Sequence, residues 1–187
     1  FNYTGTKGLF IDRMMLGDEF VATAEVQEIP YQPAVYTSDT IKAKVIFGED
    51  LLDNKVEVYR ALTGYSARTY QGIFPLIDDE DDKKEFEESL IKYIDEEGKV
   101  EDISLNNVGP TYLGRKPLQV TGKLSDFRFI ESAANDVLLN VGKLIGPQMT
   151  MYDEDSVRQN DIYNLFAHSY YRTIEFDIPE GYRLADP

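Results

Sequence analysis

Alternating hydrophobic and polar residues predict β-strands along most of this chain. The alternation covers residues 19–30, which end at Pro30 as an edge strand can, and residues 40–47, where every second side chain is apolar. A third alternating stretch, residues 55–62, follows after a short turn. Because only turn residues separate the second and third stretches, we expect them to pair as a hairpin.

The C-terminal half shows further β-like stretches, divided by Gly, Pro and Asn residues. They span residues 100–107, 118–130 and 137–144. The last strand is the clearest, at residues 170–179, and its alternation predicts that Ile174, Phe176 and Ile178 face the core. The polar stretch 152–164 carries few strand signals and is predicted to be a long surface connection.

One segment has a helical pattern instead. Its apolar residues fall on one face: Phe86, Leu90, Tyr93 and Ile94. It follows the acidic run 78–82, in which Asp78 or Asp79 can cap a helix and the carboxylates favour its dipole. Charged residues on the other face are spaced to pair, and Gly98 can end the helix. We therefore predict an amphipathic helix over about residues 80–97.

A shorter helical pattern comes before it. Ala67 and Tyr70 recur at helical spacing after Gly64, and Pro75 limits this segment to a short helix. Many short strands with one amphipathic helix predict a mostly β fold, α+β by element count, with β-sandwich-like antiparallel sheets. Because no repeat or linker interrupts the pattern, residues 1–187 are expected to form a single β-rich module.

Composition and charge restrict the possible partners. The chain has 187 residues, enough to bury about 70% of its unfolded surface. The net charge of −15 repels nucleic-acid phosphates and anionic lipids, so we expect no nucleic-acid partner. No apolar run approaches the roughly 20 residues of a membrane span, so no membrane insertion is predicted. The lack of Cys excludes thiolate chemistry and Cys metal ligands.

Residue types that often serve in catalysis are present without a supporting motif. His168 is the single histidine, and its neighbour Ser169 is not made a nucleophile by adjacency. Gly64 and Ser66 begin like a G-x-S-x-G nucleophile elbow, but Arg68 stands where the second Gly is needed. A hydrolase using Ser66 or Ser169 with His168 is therefore a remote alternative. We predict no catalytic residue and no cofactor in this chain.

Two other patterns are weak. Ser89 and Lys92 match S-x-x-K, but the companion motifs of that enzyme class are absent. The acidic runs 78–82 and 153–155 offer oxygen ligands for Ca²⁺, yet neither has the Gly and final Glu of an EF-hand loop. A capped, solvated helix start is the preferred interpretation of the first run. No metal site is predicted.

Tyrosines are the remaining residues that could bind a ligand. Eight of them are too many to bury without partners for their hydroxyls: Tyr36, Tyr59, Tyr65, Tyr70, Tyr112, Tyr163, Tyr170 and Tyr171. Half-buried strand positions explain most tyrosines of this kind. Some of these residues could also form a platform for a glycan or a peptide, supported by Ca²⁺, and this is the alternative function.

The C-terminal block, about residues 135–187, resembles a known family. The resemblance is carried by LLNVGKLIGPQ at residues 138–148, by Tyr152, by HSYYRTI at 168–174 and by IPEGY at 178–182. These strings resemble the end of exported transglutaminase-like proteins of Gram-negative bacteria, in which a β-rich domain of unknown function follows the transglutaminase core. Residues 39–94 are compatible with the preceding β region of such proteins.

The resemblance implies an accessory module and not an enzyme. The catalytic core, with its Cys-His-Asp triad, should then precede Phe1, so the chain is expected to be a fragment of a larger protein. The implied location is the periplasm or the cell surface, and the implied partner is a neighbouring domain of the same protein, with another protein or a glycan as alternatives. A docking module of this kind should expose a contiguous apolar patch of roughly a few hundred Å².

Overall fold

The structure is a computed structural model that describes residues 5–49, 51, 53–125, 129–133, 136–147, 152–153, 157, 159 and 166–185. The strands are β1 (Lys7–Leu16), β2 (Glu19–Glu28), β3 (Ser38–Ile46), β4 (Lys55–Leu62), β5 (Lys99–Asn106), β6 (Leu118–Ser125), β7 (Ile130–Ala133), β8 (Asp136–Leu139) and β9 (Ser169–Phe176). The helices are α1 (Gly64–Ile73) and α2 (Glu80–Lys92). The predicted mostly β, α+β class is confirmed.

A five-stranded sheet forms the centre of the fold, in the order β5-β6-β4-β3-β9. The predicted hairpin is confirmed, because β3 and β4 pair in antiparallel register from Asp39 opposite Leu62 to Ile46 opposite Lys55. The last strand, β9, adds to β3 in parallel and forms one edge. The sheet is therefore mixed, and it joins residues that are far apart in the sequence.

The two helices form the layer that packs on this sheet. The apolar side chains that alternate along the central strands share the core with Leu90 and Ile91 of α2, both at 1% exposure or less. The helix begins as predicted, because the Asp79 carboxylate accepts hydrogen bonds from the backbone N–H groups of Asp81 and Asp82. The second layer of the fold is thus helical.

The predicted end of α2 near residue 97 is wrong, because the helix stops at Lys92. The backbone N–H of Ile94 bonds to the Ile91 carbonyl, and the Asp95 carboxylate accepts from the N–H of Glu97, which replaces helix by turns. Gly98 has a different role. A Cβ there would lie 2.6 Å from a methyl carbon of Leu124, so glycine permits close approach of the chain to the core.

Two predicted strands are shorter than expected. The stretch 118–130 is strand only to Ser125, before residues outside the described part of the chain, and β7 begins at Ile130. The stretch 137–144 is strand only to Leu139, because a 3-10 turn over Val141–Ile145 follows and buries Leu144 completely. Most of the predicted connection 152–164 lies outside the described residues.

The predicted core face of the last strand is only partly correct. Ile174 packs against the core, whereas Phe176 and Ile178 are 37% and 46% exposed. Phe176 is the last residue of the edge strand β9, and Ile178 follows the end of that strand. They line a groove together with Tyr182 and Leu184.

A separate two-stranded ribbon, β1–β2, precedes the sheet. The predicted strand 19–30 is confirmed as β2, and its partner β1 pairs with it from Lys7 opposite Glu28 to Leu16 opposite Glu19. Gly17, with φ +65°, provides the tight two-residue turn between the strands. Among the described residues, neither strand of this ribbon joins the five-stranded sheet, and no helix has the length and apolar character needed to cross a membrane.

Candidate functional site

The core face of the sheet contains a charged network that was not predicted. Asp39 is 5% exposed and accepts two hydrogen bonds from Arg60, at 3.2 Å from Nε and 2.8 Å from Nη2. Arg172 of β9 reaches the same carboxylate from 3.4 Å and donates to the backbone carbonyls of Asp39 and Ile145. Two guanidinium groups thus share one carboxylate inside the protein.

Arg60 also connects the sheet to the end of α2. Its Nη1 donates to the carbonyl of Leu90, at 2.9 Å, and its guanidinium lies 3.8 Å above the ring of Tyr93. A cation at a helix C-terminus is favoured by the helix dipole and satisfies a carbonyl that lacks a helical partner. The network holds β3, β4, β9 and α2 together. Asp39 and Arg60 are both buried, at 5% and 4% exposure.

His168 lies one residue before β9, among aromatic rings. Its ring packs edge-on against Phe166 and Tyr170, with centroids 6.0 and 5.0 Å away, and Nδ1 is 3.2 Å from the Phe166 carbonyl oxygen. Ser169 takes part in the strand ladder by donating its N–H to Thr37. Among the described residues, no hydrogen bond joins His168 to Ser169 or Ser66.

The Gly64–Ser66 and Ser89–Lys92 patterns form local contacts that position the helices. Gly64 begins α1 with φ +54°, and a Cβ there would lie 2.3 Å from the Tyr36 carbonyl, so the turn after β4 requires glycine. The Ser89 hydroxyl donates to the carbonyl of Phe86, and Lys92 forms an ion pair with Glu88 at 2.9 Å. These contacts position helices and do not create a nucleophile.

The acidic run 78–82 acts at the start of α2. Asp79 is the N-cap, and Glu80 forms an ion pair with Lys83 at 2.7 Å that raises the pKa of the lysine. Among the described residues, no three His, Asp or Glu side chains converge as a metal site requires. Of the second run, only Asp153 lies within the described residues.

Two of the predicted tyrosines belong to one row of aromatic rings: Tyr65 stacks on Phe166 at 4.9 Å, and His168 lies between Phe166 and Tyr170. Tyr70 of α1 packs against Phe86 of α2, whereas Tyr59 lies on the solvent-facing side of the sheet, opposite the helices. Tyr170 and Tyr171 are neighbours in β9 and therefore point to opposite faces. Tyr163 lies outside the described residues. Tyr65 and Tyr170 are therefore the pair of tyrosines that one binding site could use together.

The solvent-facing side of the sheet carries a row of alternating charges. Neighbouring strands place residues of opposite sign beside one another, in the order Glu175, Lys44, Glu57, Lys123 and Glu101. Opposite charges directly across a sheet are favourable. A shallow concavity of about 390 Å³ opens on this row around Tyr59.

A β-bulge in β5 directs Asp102 into the rim of this concavity. The register shifts after Glu101, and Asp102 adopts φ +53°. Its carboxylate lies 2.9 Å from Nζ of Lys123. This hydrogen bond and the positive charge of the lysine lower the pKa of Asp102, and the same hydrogen bond and the negative charge of the carboxylate raise the pKa of Lys123. Both side chains are solvent-exposed, so water screens the attraction.

A further exposed surface is one side of the β1–β2 ribbon. Directly opposed pairs and every second residue share a face, and the face in question, here called the apolar face, is nearly free of carboxylates. It consists of Leu9, Ile11, Arg13, Met15, Phe20, Ala22, Ala24 and Val26. Leu9, Ile11, Phe20 and Val26 are each 63% or 64% exposed. Arg13 lies 4.4 Å above the ring of Phe20, also on this face.

The opposite face of the ribbon is mixed. Four large apolar residues alternate there with polar and acidic residues such as Asp12 and Glu25: Phe10, Met14, Leu16 and Val21. The carboxylates of the ribbon are thus concentrated on this face and at the turn. On the side of the apolar face the ribbon has one carboxylate, Glu28, which lies at the base of the ribbon directly opposite Lys7. A ribbon with one apolar and one mixed face resembles an element that buries only one side.

The fold and these surfaces define an α+β protein in which a helix-covered mixed sheet carries a separate, exposed β-ribbon. No protein-family model, curated protein or solved structure matches this chain. The similarity to exported transglutaminase-like proteins therefore stays a prediction from the sequence.

Proposed function

We propose that this chain is a non-catalytic accessory module of an exported transglutaminase-like protein, with a structural or protein-interaction role in the periplasm or at the cell surface. The exposed apolar side of the ribbon is the observation that supports it most. Side chains such as Ile11 and Phe20 are core residue types, and soluble proteins seldom leave a contiguous set of them in water unless a partner covers it.

The reading frame ahead of Phe1 provides the first test. The proposal expects a transglutaminase-like region there with Cys, His and Asp residues. In the complete polypeptide, replacing that Cys by Ala should abolish activity, whereas His168→Ala and Ser66→Ala should leave turnover unchanged. Loss of turnover in a folded His168→Ala protein would overturn the proposal. Fractionation of the source cells should place the polypeptide in the envelope, and a purely cytoplasmic protein would contradict the export.

The concavity around Tyr59 favours a second candidate function, the binding of a glycan or a peptide. An aromatic ring with Lys42, Lys44 and Gln119 nearby offers both a stacking surface and hydrogen-bonding groups. A glycan array, followed by melting with and without Ca²⁺, tests it, because a ligand that binds only the native state raises the melting temperature. Binding that Tyr59→Ala abolishes would support this function. An array on which no glycan binds would contradict it.

A further inference from the structure

We infer, on the basis of the second candidate function, that the concavity around Tyr59 binds an uncharged saccharide, with one sugar ring stacked on the Tyr59 side chain. The candidate function leaves both a glycan and a peptide open and does not set the charge of the ligand. Three properties of the concavity select the ligand class: the fixed aromatic ring, the charges and hydrogen-bonding groups of its lining, and its position on the face of the sheet.

The ring of Tyr59 is held by its neighbours. Gln119 donates from Nε2 to the tyrosine hydroxyl at 3.0 Å, and Nζ of Lys42 lies 5.9 Å from the ring centroid. In the sheet, Tyr59 is directly opposite Lys42 of β3 on one side and Thr121 of β6 on the other. The C–H groups of a sugar ring can pack on an aromatic face, and a ring that is fixed before binding loses little entropy when the ligand arrives.

The charges that line the concavity cancel. Three lysines and three carboxylates face it: Lys42, Lys44, Lys123, Glu57, Asp102 and Glu175. The formal charge of the lining is therefore zero, although the whole chain carries −15. An anionic ligand would meet the carboxylates and a cationic ligand would meet the lysines, at a cost in either case. An uncharged ligand avoids both repulsions.

Hydrogen-bonding groups of both kinds lie beside the ring. The ammonium groups of Lys42 and Lys44 can only donate, and the carboxylate of Glu57 can only accept. Within the described part of the chain these three side chains form no ion pair, whereas Lys123 is held by Asp102 at 2.9 Å. Each sugar hydroxyl both donates and accepts, so a donor and an acceptor placed side by side suit a row of hydroxyls.

The position of the concavity favours a saccharide over a peptide. It lies on β3, β4 and β6, each of which pairs with a strand on both sides, so their backbone N–H and C=O groups are used within the sheet. A peptide that binds a sheet commonly adds as a strand at a free edge, where backbone groups are available. Here the sheet presents side chains instead. The volume of about 390 Å³ is within the range of roughly 300–1,000 Å³ found for small-ligand sites.

Calorimetric titration of the 187-residue chain tests the inference. A glycan array with neutral, uronic-acid and sulfated oligosaccharides, together with a peptide array, selects the probe, which is the neutral trisaccharide with the strongest signal. We expect Tyr59→Ala to weaken its binding at least about tenfold, because the stacking surface is removed. Tyr59→Phe keeps the ring and should retain most of the affinity. Tyr171→Ala is the matched control, because Tyr171 lies on the same face of the sheet but outside the concavity, and its affinity should be unchanged.

Two further readouts do not depend on a variant that folds. An uncharged ligand should change its affinity by less than about twofold between about 0.05 and 0.5 M salt, because salt screens no net attraction. In the unmodified chain, the trisaccharide should shift the amide resonances of β3, β4 and β6 and leave those of the β1–β2 ribbon in place. Shifts confined to other elements would overturn the inference.

The outcomes separate this inference from the candidate function on which it rests. If only anionic oligosaccharides or only peptides bind, and Tyr59→Ala abolishes that binding, the function of the concavity stands and the uncharged saccharide is wrong. If Tyr59→Ala and Tyr171→Ala weaken binding of the neutral trisaccharide equally, the stacking on Tyr59 is wrong. Arrays on which nothing binds contradict the candidate function and this inference together, and they leave the accessory role untouched.

Discussion

The five-stranded sheet buries its apolar strand residues, whereas the β1–β2 ribbon exposes residues of the same types. Ile41 and Val56 of the sheet are 1% and 0% exposed, whereas Ile11 and Val26 of the ribbon are 64% and 63% exposed. The sheet has a helical layer to cover its apolar face, and the described residues supply no such layer for the ribbon. Alternating apolar and polar residues can therefore form a strand, but the strand stabilises the fold only when a second layer of structure covers its apolar side.

The largest expected difference between the regions comes from buried charge. Asp39→Ala leaves Arg60 and Arg172 without their shared carboxylate and should destabilise the protein by about 3–5 kcal/mol. Arg13→Ala in the ribbon removes an exposed cation and should cost less than about 0.5 kcal/mol. Urea unfolding of both variants measures the two losses in the free energy of unfolding. Similar midpoints would show that the buried network does not stabilise the sheet.

A matched pair of leucines sharpens the comparison. Leu124 is fully buried in β6 and Leu9 is exposed in β1. Leu124→Ala should lower the free energy of unfolding by about 2–5 kcal/mol, because it removes core contacts and leaves a cavity. Leu9→Ala should change it by no more than about 0.5 kcal/mol. If Leu9→Ala were as destabilising as Leu124→Ala, the ribbon would be part of the core.

The helix cap tests whether the covering layer contributes to the stability of the sheet. Asp79→Ala removes the side chain that accepts from two N–H groups of α2 and should cost about 1 kcal/mol. Asp78→Ala, one residue earlier, is the control and should cost clearly less. Thermal unfolding monitored by circular dichroism compares them, and equal melting temperatures would exclude the cap as a contributor.

The smallest expected effect is the pH response of the Asp102–Lys123 pair. The pKa of Asp102 is lowered in the folded state, so its contribution is present above the unfolded pKa and is lost as pH falls through the folded pKa. Asp102→Asn and Lys123→Gln should both flatten the loss of melting temperature below about pH 4. If the melting temperatures of both variants depended on pH as that of the unmodified protein does, the pairing of Asp102 with Lys123 would be contradicted.

Elements that depend on local patterns are predictable from this sequence. The β3–β4 hairpin and the start of α2 at Asp79 follow from alternation and from capping chemistry. The strand β1 has no such pattern, because apolar residues occur consecutively at Leu9–Ile11 and Met14–Leu16. The dipeptide Gly17-Asp18 between two apolar stretches is the signal that could have revealed the ribbon.

Features that depend on distant contacts are not predictable in this way. Arg60 alternates in phase with Val56 and Val58, which indicates an inward side chain, and its partner Asp39 lies across the β3–β4 hairpin. The shared contact with Arg172, however, requires the parallel pairing of β9 with β3. That pairing joins residues more than a hundred positions apart. The uncovered apolar face likewise becomes visible only when the register of β1 and β2 is known.

Hydrogen exchange of the 187-residue chain alone tests most directly whether the ribbon lacks a stabilising layer of its own. The amides of β3, β4 and β6 should open only with global unfolding, and those of β1 and β2 should exchange at least about a hundredfold faster through local opening. If ribbon amides exchange as slowly as those of β4, the ribbon is stable without a partner, and its exposed apolar face does not require one.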